Sequence, residues 1–182
     1  MQYGSELANA LTDYHIRNGG ISRYQKFRYF FSEILGQSEG DGRIEDLLAL
    51  FSQSVEEALL VCDIALGLDK LRLRTKESKW FVVSGGDQLE LRKIFAMRGL
   101  DNYFDGGIFG SPKPKGDILL REVSRQNIVA PAVYIGDSKY DYRVSREAGI
   151  DFIFVSQWTE VVDWEYFVES ENINYVNSIL DL

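Results

Sequence analysis

The sequence predicts an α/β fold in which a helical region precedes a parallel sheet. Residues 1 to about 72 carry apolar side chains at helical spacing, and no segment there alternates convincingly with a period of two. From Trp80 to Val155, short apolar runs alternate with helical segments. This alternation is typical of parallel strands joined by helical crossovers. We therefore assign residues 1–72 to a helical subdomain and residues 73–182 to an α/β core.

Two helices are predicted at the start of the helical region. The apolar spacing from Leu7 to Tyr14 predicts the first, and the segment Asn18–Gly20 ends it. Ser22 has the side chain of a good N-cap and is expected to begin the second helix. The apolar face of that second helix comprises Tyr24, Phe27, Phe30, Phe31, Ile34 and Leu35.

The rest of the helical region is predicted to contain two more helices. The polar, glycine-bearing segment Gly36–Gly42 predicts a break. Ile44–Phe51 and Val55–Leu66 then have helical character. The strongly basic segment Lys70–Lys79 is interpreted as the connector to the core.

The core is predicted to alternate strands and helices. The expected strands are Trp80–Val83, Gly107–Phe109, Val133–Ile135 and Phe152–Val155. The expected helices are Leu89–Arg98, a segment around Ile118–Val123, and Asp141–Ala148. The acidic and aromatic tail from Val161 to Leu182 is expected to pack at the edge of the sheet.

Composition limits the classes of function. The chain has 182 residues, of which 45% are hydrophobic, so it can bury a sizeable core. A net charge of −8 argues against nonspecific binding to nucleic acid or to an anionic membrane. Cys62 is the only cysteine, which excludes an intramolecular disulfide and favours the reducing cytoplasm. No apolar run is long enough to span a bilayer, and the residues Gln2–Asn9 are polar rather than signal-like.

The end of the strand Val133–Ile135 carries two carboxylates. Gly136 allows a sharp exit from the strand, Asp137 follows at once, and Asp141 lies four residues later. An open parallel sheet binds its ligands where its strands end, and paired carboxylates there suit Mg²⁺. The alternative is an ordinary polar turn with an acidic residue near a helix start.

Two other strand ends offer groups that bind anions. Ser84, followed by Gly85 and Gly86, can present a hydroxyl and backbone N–H groups to an oxyanion. The alternative is a turn that caps the next helix, and this segment taken alone favours that alternative. Lys115 stands at a predicted helix start, where the macrodipole disfavours a cation unless an anion lies in front of it. For Lys115 the alternative is a solvated loop lysine.

The order of these three strand ends resembles the second, third and fourth motifs of the haloacid dehalogenase-like hydrolase superfamily. The resemblance runs from about Trp80 to Val155 and is greatest to the phosphoglycolate and phosphoserine phosphatases that carry a helical cap. It implies a Rossmann-like core with residues 1–72 as the cap. It also implies that Ser84 and Gly85 bind the transferring phosphoryl group and that Asp137 and Asp141 hold Mg²⁺.

The third motif of that superfamily supplies a lysine that neutralises the nucleophile and the phosphate. Lys115 is the better candidate, because Pro-Lys-Gly-Asp-Ile-Leu resembles the Lys-Gly-Glu-Ile-Leu run of the phosphoserine phosphatases. Lys113, which matches the Lys-Pro-x-x-Asp form of other branches, is the alternative.

The first motif of the superfamily, Asp-x-Asp after an apolar strand, is absent from this sequence. Asp63 follows an apolar run, but Ala65 stands in place of the second Asp, and the segment falls at the wrong point in the order. We therefore expect that Met1 lies inside the cap and that the first core strand is missing. Because that strand is central in the family, its absence should leave unpaired strand edges and makes self-association plausible.

The cap contains one basic loop in this acidic protein. Arg17, Asn18, Gly20 and Arg23 are candidate substrate residues, since caps of this family carry substrate specificity. The alternative is a helix–helix turn with solvated basic side chains. His15 is expected to be a packing or surface histidine.

These patterns support two functional hypotheses. The first is a Mg²⁺-dependent phosphohydrolase of a small phosphorylated metabolite, with negligible turnover expected from the 182-residue chain because it lacks the nucleophile. The second is a noncatalytic module of the same family that binds a ligand or a partner chain. A third, receiver-like phosphate-binding domain is disfavoured by the cap and by the Ser-Gly and Lys motifs.

Overall fold

The computed structural model describes residues 3–37 and 43–182, and its first part is helical. The helices are α1 (Gly4–Arg17), α2 (Arg23–Tyr29), α3 (Arg43–Val61) and α4 (Leu68–Arg74). A π-helical turn over Phe30–Ile34 continues α2. Within the described residues, no strand precedes Phe81, as the sequence predicts.

The start of α2 has the predicted cap. The Ser22 hydroxyl accepts a hydrogen bond from the Gln25 backbone N–H at 3.3 Å. The aromatic side chains of Phe27, Phe30 and Phe31 are buried, so the predicted apolar face does pack inward. The cap prediction for Ser22 is therefore confirmed.

The third helix is longer than the sequence predicted. A single helix, α3, replaces the two expected helices, because the segment Ser52–Ser54 contains no glycine or proline to break it. The Ser54 hydroxyl instead donates to the Leu50 carbonyl oxygen at 3.3 Å, a bond that is compatible with a continuous helix. Most of the predicted break at Gly36–Gly42 lies outside the described residues.

The expected basic connector is partly helical. Lys70 to Arg74 belongs to α4, so the predicted boundary after residue 72 falls inside a helix. This helix packs on the carboxyl end of the chain, where the Arg74 guanidinium donates to the Leu182 carbonyl oxygen at 2.8 Å. The basic residues are therefore fixed on the surface rather than held in a linker.

The second part alternates strands and helices, which confirms the predicted fold class. The strands are β1 (Phe81–Asp87), β2 (Gly107–Ser111), β3 (Val133–Gly136), β4 (Asp151–Val155) and β5 (Asn174–Val176). The helices are α5 (Gln88–Met97), α6 (Lys115–Ser124), α7 (Lys139–Glu147) and α8 (Trp164–Ser170).

The strands form two parallel sheets. One sheet pairs β1 with β2, and the other has the order β3-β4-β5, in which β5 places the acidic and aromatic tail at the edge as expected. Phe154 of β4 is fully buried in an aromatic cluster of the second sheet. Strand β1 extends past the predicted end at Val83 to Asp87, with an irregular register between these two residues.

The two sheets face each other without a shared hydrogen-bond ladder in the described part of the chain. The Tyr134 hydroxyl of β3 lies 3.0 Å from the Val83 carbonyl oxygen of β1 and bridges the two edges. Val133 and Ile135 of β3 are 51% and 40% exposed, which is unusual for the apolar side chains of an interior strand. β1 and β3 thus each have one edge without a ladder partner in the described residues. That a first core strand is missing stays a prediction.

None of the helices in residues 3–37 and 43–182 combines the length and the apolar character that a bilayer span needs.

Candidate functional site

The centre of the site is an ion pair between two helices of the core. Lys115 is the first residue of α6, and its Nζ lies 2.7 Å from Oδ1 of Asp141 in the first turn of α7. The two side chains are only 10% and 3% exposed. A carboxylate in front of this helix start is the arrangement that makes a cation there favourable.

Two hydroxyl groups complete the environment of Asp141. Ser138 caps α7: its hydroxyl accepts from the Asp141 backbone N–H at 3.1 Å and donates to Asp141 Oδ2 at 2.8 Å. The Tyr134 hydroxyl lies 3.1 Å from Asp141 Oδ1. Burial, reinforced by the Asp141 charge, raises the pKa of Tyr134 well above its usual value, so its proton stays available to Asp141.

The sequence analysis missed Tyr134, and its position explains why. The residue lies inside the apolar run of β3, where an aromatic side chain predicts packing and nothing in the pattern indicates where its hydroxyl will point. Only the approach of β3 to Val83 and Asp141 gives that hydroxyl its role.

Asp137 is the second predicted carboxylate and lies at the mouth of a pocket. Burial raises the pKa of Asp137; the nearby Asp141 charge raises it further, and the Lys115 charge opposes both effects. The Thr159 hydroxyl donates to the Asp137 backbone carbonyl oxygen at 2.6 Å and fixes the turn. No side chain of the described residues hydrogen-bonds the Asp137 carboxylate, so its oxygens are available to a ligand.

The two carboxylates differ in their capacity for a metal ion. Asp141 Oδ1 already accepts from Lys115 and Tyr134, and Oδ2 accepts from Ser138, which occupies three of about four acceptor positions. Asp137 is not occupied in this way. Among the described residues no group of three His, Cys, Asp or Glu side chains converges on one point. This donor set fits Mg²⁺, which accepts one or two carboxylates and keeps several waters, with Asp137 as the main ligand.

Ser84 and Gly85 have different surroundings from those expected. The Ser84 hydroxyl accepts from the Gly86 backbone N–H at 3.0 Å, and no hydrogen bond of the described residues joins it to Lys115 or Asp141. Ser84 lies within β1, and Asp87 rather than Ser84 caps α5, so the alternative of a helix-capping serine turn is not what the structure has. A Cβ on Gly85 would lie 2.8 Å from the Gly20 carbonyl oxygen, so Gly85 contacts the helical cap. The phosphate-binding role of both residues stays a prediction.

The two candidate lysines occupy different environments. Lys113 is exposed on the loop before α6, whereas Lys115 is buried against Asp141. The structure therefore brings Lys115, and not Lys113, to the predicted acidic residues.

The cap loop forms the opposite wall of the pocket. Arg17, Asn18 and Gly20 line a cavity of about 690 Å³ together with Asp137 and Ser138. Gly20 has a φ of +86°, and a Cβ there would lie 2.8 Å from the Ser138 hydroxyl oxygen. The loop thus approaches the core closely because this position has no side chain.

Arg23 is the one predicted cap residue that the structure places elsewhere. It forms a buried ion pair with Glu90 of α5 and donates to the Ser52 hydroxyl at 2.9 Å. This guanidinium is paired with Glu90 and lies outside the pocket lining, so the structure gives the expected substrate contact of Arg23 no support, and that contact stays a prediction. Its role is to hold the cap on the core, together with the Tyr24 hydroxyl, which donates to Asp87 at 2.8 Å.

A second basic residue of α2, Lys26, belongs to the basic segment from His15 to Lys26 in which the sequence suggests an anionic ligand. Its Nζ lies 2.9 Å from His15 Nδ1, and His15 Nε2 lies 3.7 Å from a carboxylate oxygen of Glu160, which lines the pocket. Burial lowers the pKa of Lys26; the Glu160 charge opposes this shift, and the Lys115 charge reinforces it. Burial and the Lys26 charge lower the pKa of His15, and the Glu160 charge opposes this shift; a neutral imidazole can accept a hydrogen bond from the Lys26 ammonium through Nδ1.

The chain was compared with known proteins. It superposes with a TM-score of 0.69 on the crystal structure of a phosphonoacetaldehyde hydrolase-like protein from Oleispira antarctica, at 15% identity over 90% of this chain and 74% of that one. A haloacid dehalogenase-superfamily hydrolase from Ehrlichia chaffeensis gives a TM-score of 0.49 at 20% identity over 90% and 87% of the two chains. A comparison with curated proteins gives no significant match.

The family model named haloacid dehalogenase-like hydrolase matches residues 11–155. That match covers most of the cap, Lys115, and both acidic residues of the fourth-motif turn. The superposition on the Oleispira antarctica protein agrees with it at the level of the fold. The chain belongs to the haloacid dehalogenase-like hydrolase family.

Proposed function

We propose that this chain carries the phosphate- and metal-binding side of a Mg²⁺-dependent phosphohydrolase that acts on a small phosphorylated metabolite. The observation that carries the proposal is the buried Lys115–Asp141 pair. Ser138, which bonds Asp141, and Asp137 line a pocket together with the cap loop, although Lys115 and Asp141 themselves are not in its lining. A cavity of about 690 Å³ lies in the range of small-molecule sites.

Each residue has a defined part in the proposed chemistry. Asp137 holds the metal ion, and Mg²⁺ when bound supplies positive charge that stabilises the phosphoryl oxygens. Lys115 presents a fixed ammonium group to the same oxygens, while Asp141, Tyr134 and Ser138 keep that group in place. Ser84 is kept as a proposed phosphate ligand, although it would have to give up its bond to the Gly86 N–H.

The attacking carboxylate is proposed to come from a strand that pairs between β1 and β3. The edges of β1 and β3 that lack a strand partner have none in the described residues. The Lys115 ammonium bonds Asp141, which lies against Gly136 at the carboxyl end of β3. The 182-residue chain alone is then expected to hydrolyse a phosphate ester at a negligible rate. Its single cysteine, exposed and unpaired, supports a proposed location in the reducing cytoplasm.

Titration calorimetry with Mg²⁺ tests the metal-binding part of this proposal. We expect the chain to bind Mg²⁺ and Asp137→Asn to weaken binding by about tenfold or more, since the variant loses a charged ligand. Asp101→Asn, which changes an exposed carboxylate elsewhere, is the matched control. Equal Mg²⁺ affinity in wild type and Asp137→Asn would reject the assignment, as would rapid Mg²⁺-dependent hydrolysis of p-nitrophenyl phosphate by the 182-residue chain.

The second candidate function, a noncatalytic binding module, is favoured by one observation. The chain lacks an Asp-x-Asp motif and leaves two strand edges unpaired in its described part. Translation of the DNA upstream of the Met1 codon discriminates the two. An in-frame apolar strand that ends in Asp-x-Asp supports the enzyme, and a stop codon with a ribosome-binding site directly before Met1 supports the binding module.

A further inference from the structure

The pocket that contains Asp137 has an apolar wall. Ile16 of the cap and two residues that follow β4, Trp158 and Val162, line the same cavity and are 43%, 53% and 94% exposed. Single exposed apolar side chains are ordinary on a protein surface, but several that meet at one cavity mark an interaction site. A cavity of about 690 Å³ also has room for far more than a phosphoryl group. The organic part of a ligand can therefore contact these side chains.

Trp158 is the most informative member of this wall. The indole of Trp80 packs against Phe104, and that of Trp164 stacks on Phe154. Trp158 differs from both, because within residues 3–37 and 43–182 no aromatic ring or cation lies against its indole and no side-chain hydrogen bond uses its N–H. An indole combines a large apolar surface with a hydrogen-bond donor, so a half-exposed indole in a pocket is a binding surface for a ligand.

Hydrogen bonds hold the loop that carries this indole against the turn of the candidate metal site. The Thr159 hydroxyl donates to the Asp137 carbonyl oxygen at 2.6 Å and accepts from the Val161 backbone N–H at 3.1 Å. The Lys139 ammonium, at the start of α7, pairs with Asp163 at 2.9 Å. The apolar wall is thus fixed relative to the Asp137 carboxylate and belongs to the same site.

We propose that the substrate is a phosphate monoester with an aromatic organic part, which lies on the Trp158 indole while the phosphoryl group faces Asp137. Aromatic rings pack favourably on an indole, beyond the effect of the area they bury. A small polar group is disfavoured there, because its hydroxyl groups would lose hydrogen bonds to water. The inference rests on the proposed function, since it names the substrate class of that same site.

Calorimetry in the presence of Mg²⁺ tests the inference with phenyl phosphate and methyl phosphate, which differ only in their organic part. Wild type is expected to bind phenyl phosphate about tenfold or more tightly than methyl phosphate. Trp158→Ala should lose most of this preference and keep its affinity for methyl phosphate, because only the aromatic ester uses the indole. Tyr166→Ala, at a ring that is exposed outside the pocket, is the matched control and should keep the preference.

Val162→Asn tests the apolar wall without changing the indole. Because Val162 is almost fully exposed, the variant should fold as wild type does, yet its amide should weaken the binding of phenyl phosphate severalfold. Val61→Asn, at an exposed valine of α3 outside the pocket, is its control. Tryptophan fluorescence gives an independent measurement: phenyl phosphate should change the emission of wild type and not that of Trp158→Ala.

The outcomes separate the inference from the proposed function. Equal affinity of wild type for the two esters, or equal losses for both esters in Trp158→Ala, would overturn the inference and leave the proposed function standing. Phenol that binds as tightly as phenyl phosphate would also overturn it, because the apolar wall would then act without the phosphate site. If neither ester binds in the presence of Mg²⁺, the inference and the proposed function both fail.

Light scattering addresses the other occupant of such a wall, a second copy of the chain. The inference predicts the same oligomeric state for wild type and Trp158→Ala. A wild-type dimer that becomes a monomer in Trp158→Ala would assign the indole to a contact between copies and overturn the inference.

Discussion

The Lys115–Asp141 pair allows a quantitative prediction about stability. Asp141→Asn keeps the shape of the side chain and its contact with Ser138 but removes the negative charge beside Lys115. The Lys115 ammonium, whose side chain is 10% exposed, is then left without an ionic partner. Removing one partner of a buried pair costs about 3–5 kcal/mol, and we expect about 4 kcal/mol here.

The reverse substitution should cost less. In Lys115→Met the Asp141 carboxylate loses one donor but keeps Tyr134, Ser138 and its own backbone bond to Ser138. We expect a loss of about 2–3 kcal/mol for this variant. Since both changes break the same interaction, the double variant should lose about 4 kcal/mol rather than the sum, a coupling of about 2–3 kcal/mol.

Urea unfolding with linear extrapolation measures these differences as shifts in the midpoint at constant m-value. For a chain of this size, the loss in Asp141→Asn corresponds to a fall in melting temperature of about 8–16 °C. The control is Glu147→Gln on the same helix, whose pair with Arg143 spans 3.9 Å between side chains that are 58% and 64% exposed. That variant should lose less than about 0.5 kcal/mol.

The reasoning about this pair would be refuted by two results. One is a cost for Asp141→Asn no larger than that of the Glu147→Gln control. The other is strict additivity of the two single substitutions, because it would mean that Lys115 and Asp141 are not coupled.

Three further predictions concern the same region. Tyr134→Phe should lose about 1–3 kcal/mol in urea unfolding, because it removes the hydroxyl that bridges Val83 and Asp141, whereas Tyr166→Phe at an exposed ring should have almost no effect. Gly20→Ala should lower the melting temperature more than Gly99→Ala. Both glycines have a positive φ, but only a Cβ at residue 20 would contact a neighbouring side chain. Equal losses in the two variants would argue against close contact of the loop with Ser138. The folded-state pKa of Asp137 is raised, so the ionised carboxylate disfavours folding at pH values above its unfolded pKa. Asp137→Asn should therefore raise the melting temperature at pH 7 in metal-free buffer, and this gain should disappear in acid. A lower melting temperature for Asp137→Asn at pH 7 would contradict the argument.

The sequence predicted the parts of the site that depend on local chain order. Lys115 could be placed at a helix start, and Asp137 and Asp141 after a strand, because turn residues and apolar runs mark these positions directly. The sequence also indicated that an anion or a carboxylate should lie in front of Lys115, but only the structure identifies that partner as Asp141. The order of elements in the core was predictable for the same reason.

Contacts between segments distant in sequence were not predictable. Arg23 was expected to face a ligand, but it pairs with Glu90, which lies 67 positions later in the chain and carries no signal of its partner. The continuous helix α3 was predicted as two helices, Ile44–Phe51 and Val55–Leu66, although the intervening Ser52–Ser54 has only a weak preference against helix. The contact of the Lys26 ammonium with His15 became visible only once the surroundings of both residues in three dimensions were known.

The separation of the two sheets also has a mechanical consequence. The cap bonds Glu90 of α5 and Asp87 at the end of β1, whereas Asp137 and Asp141 follow β3 of the β3–β4–β5 sheet. The Tyr134 hydroxyl and the Lys115 ammonium form hydrogen bonds between these two halves, to Val83 and Asp141 respectively. Beside these polar contacts, Val83 of β1 packs against the apolar cluster of Leu119 and Val144. The Lys115 ammonium thus belongs both to the contact between the halves and to the candidate site, so a ligand that bonds it would compete with a contact that joins them.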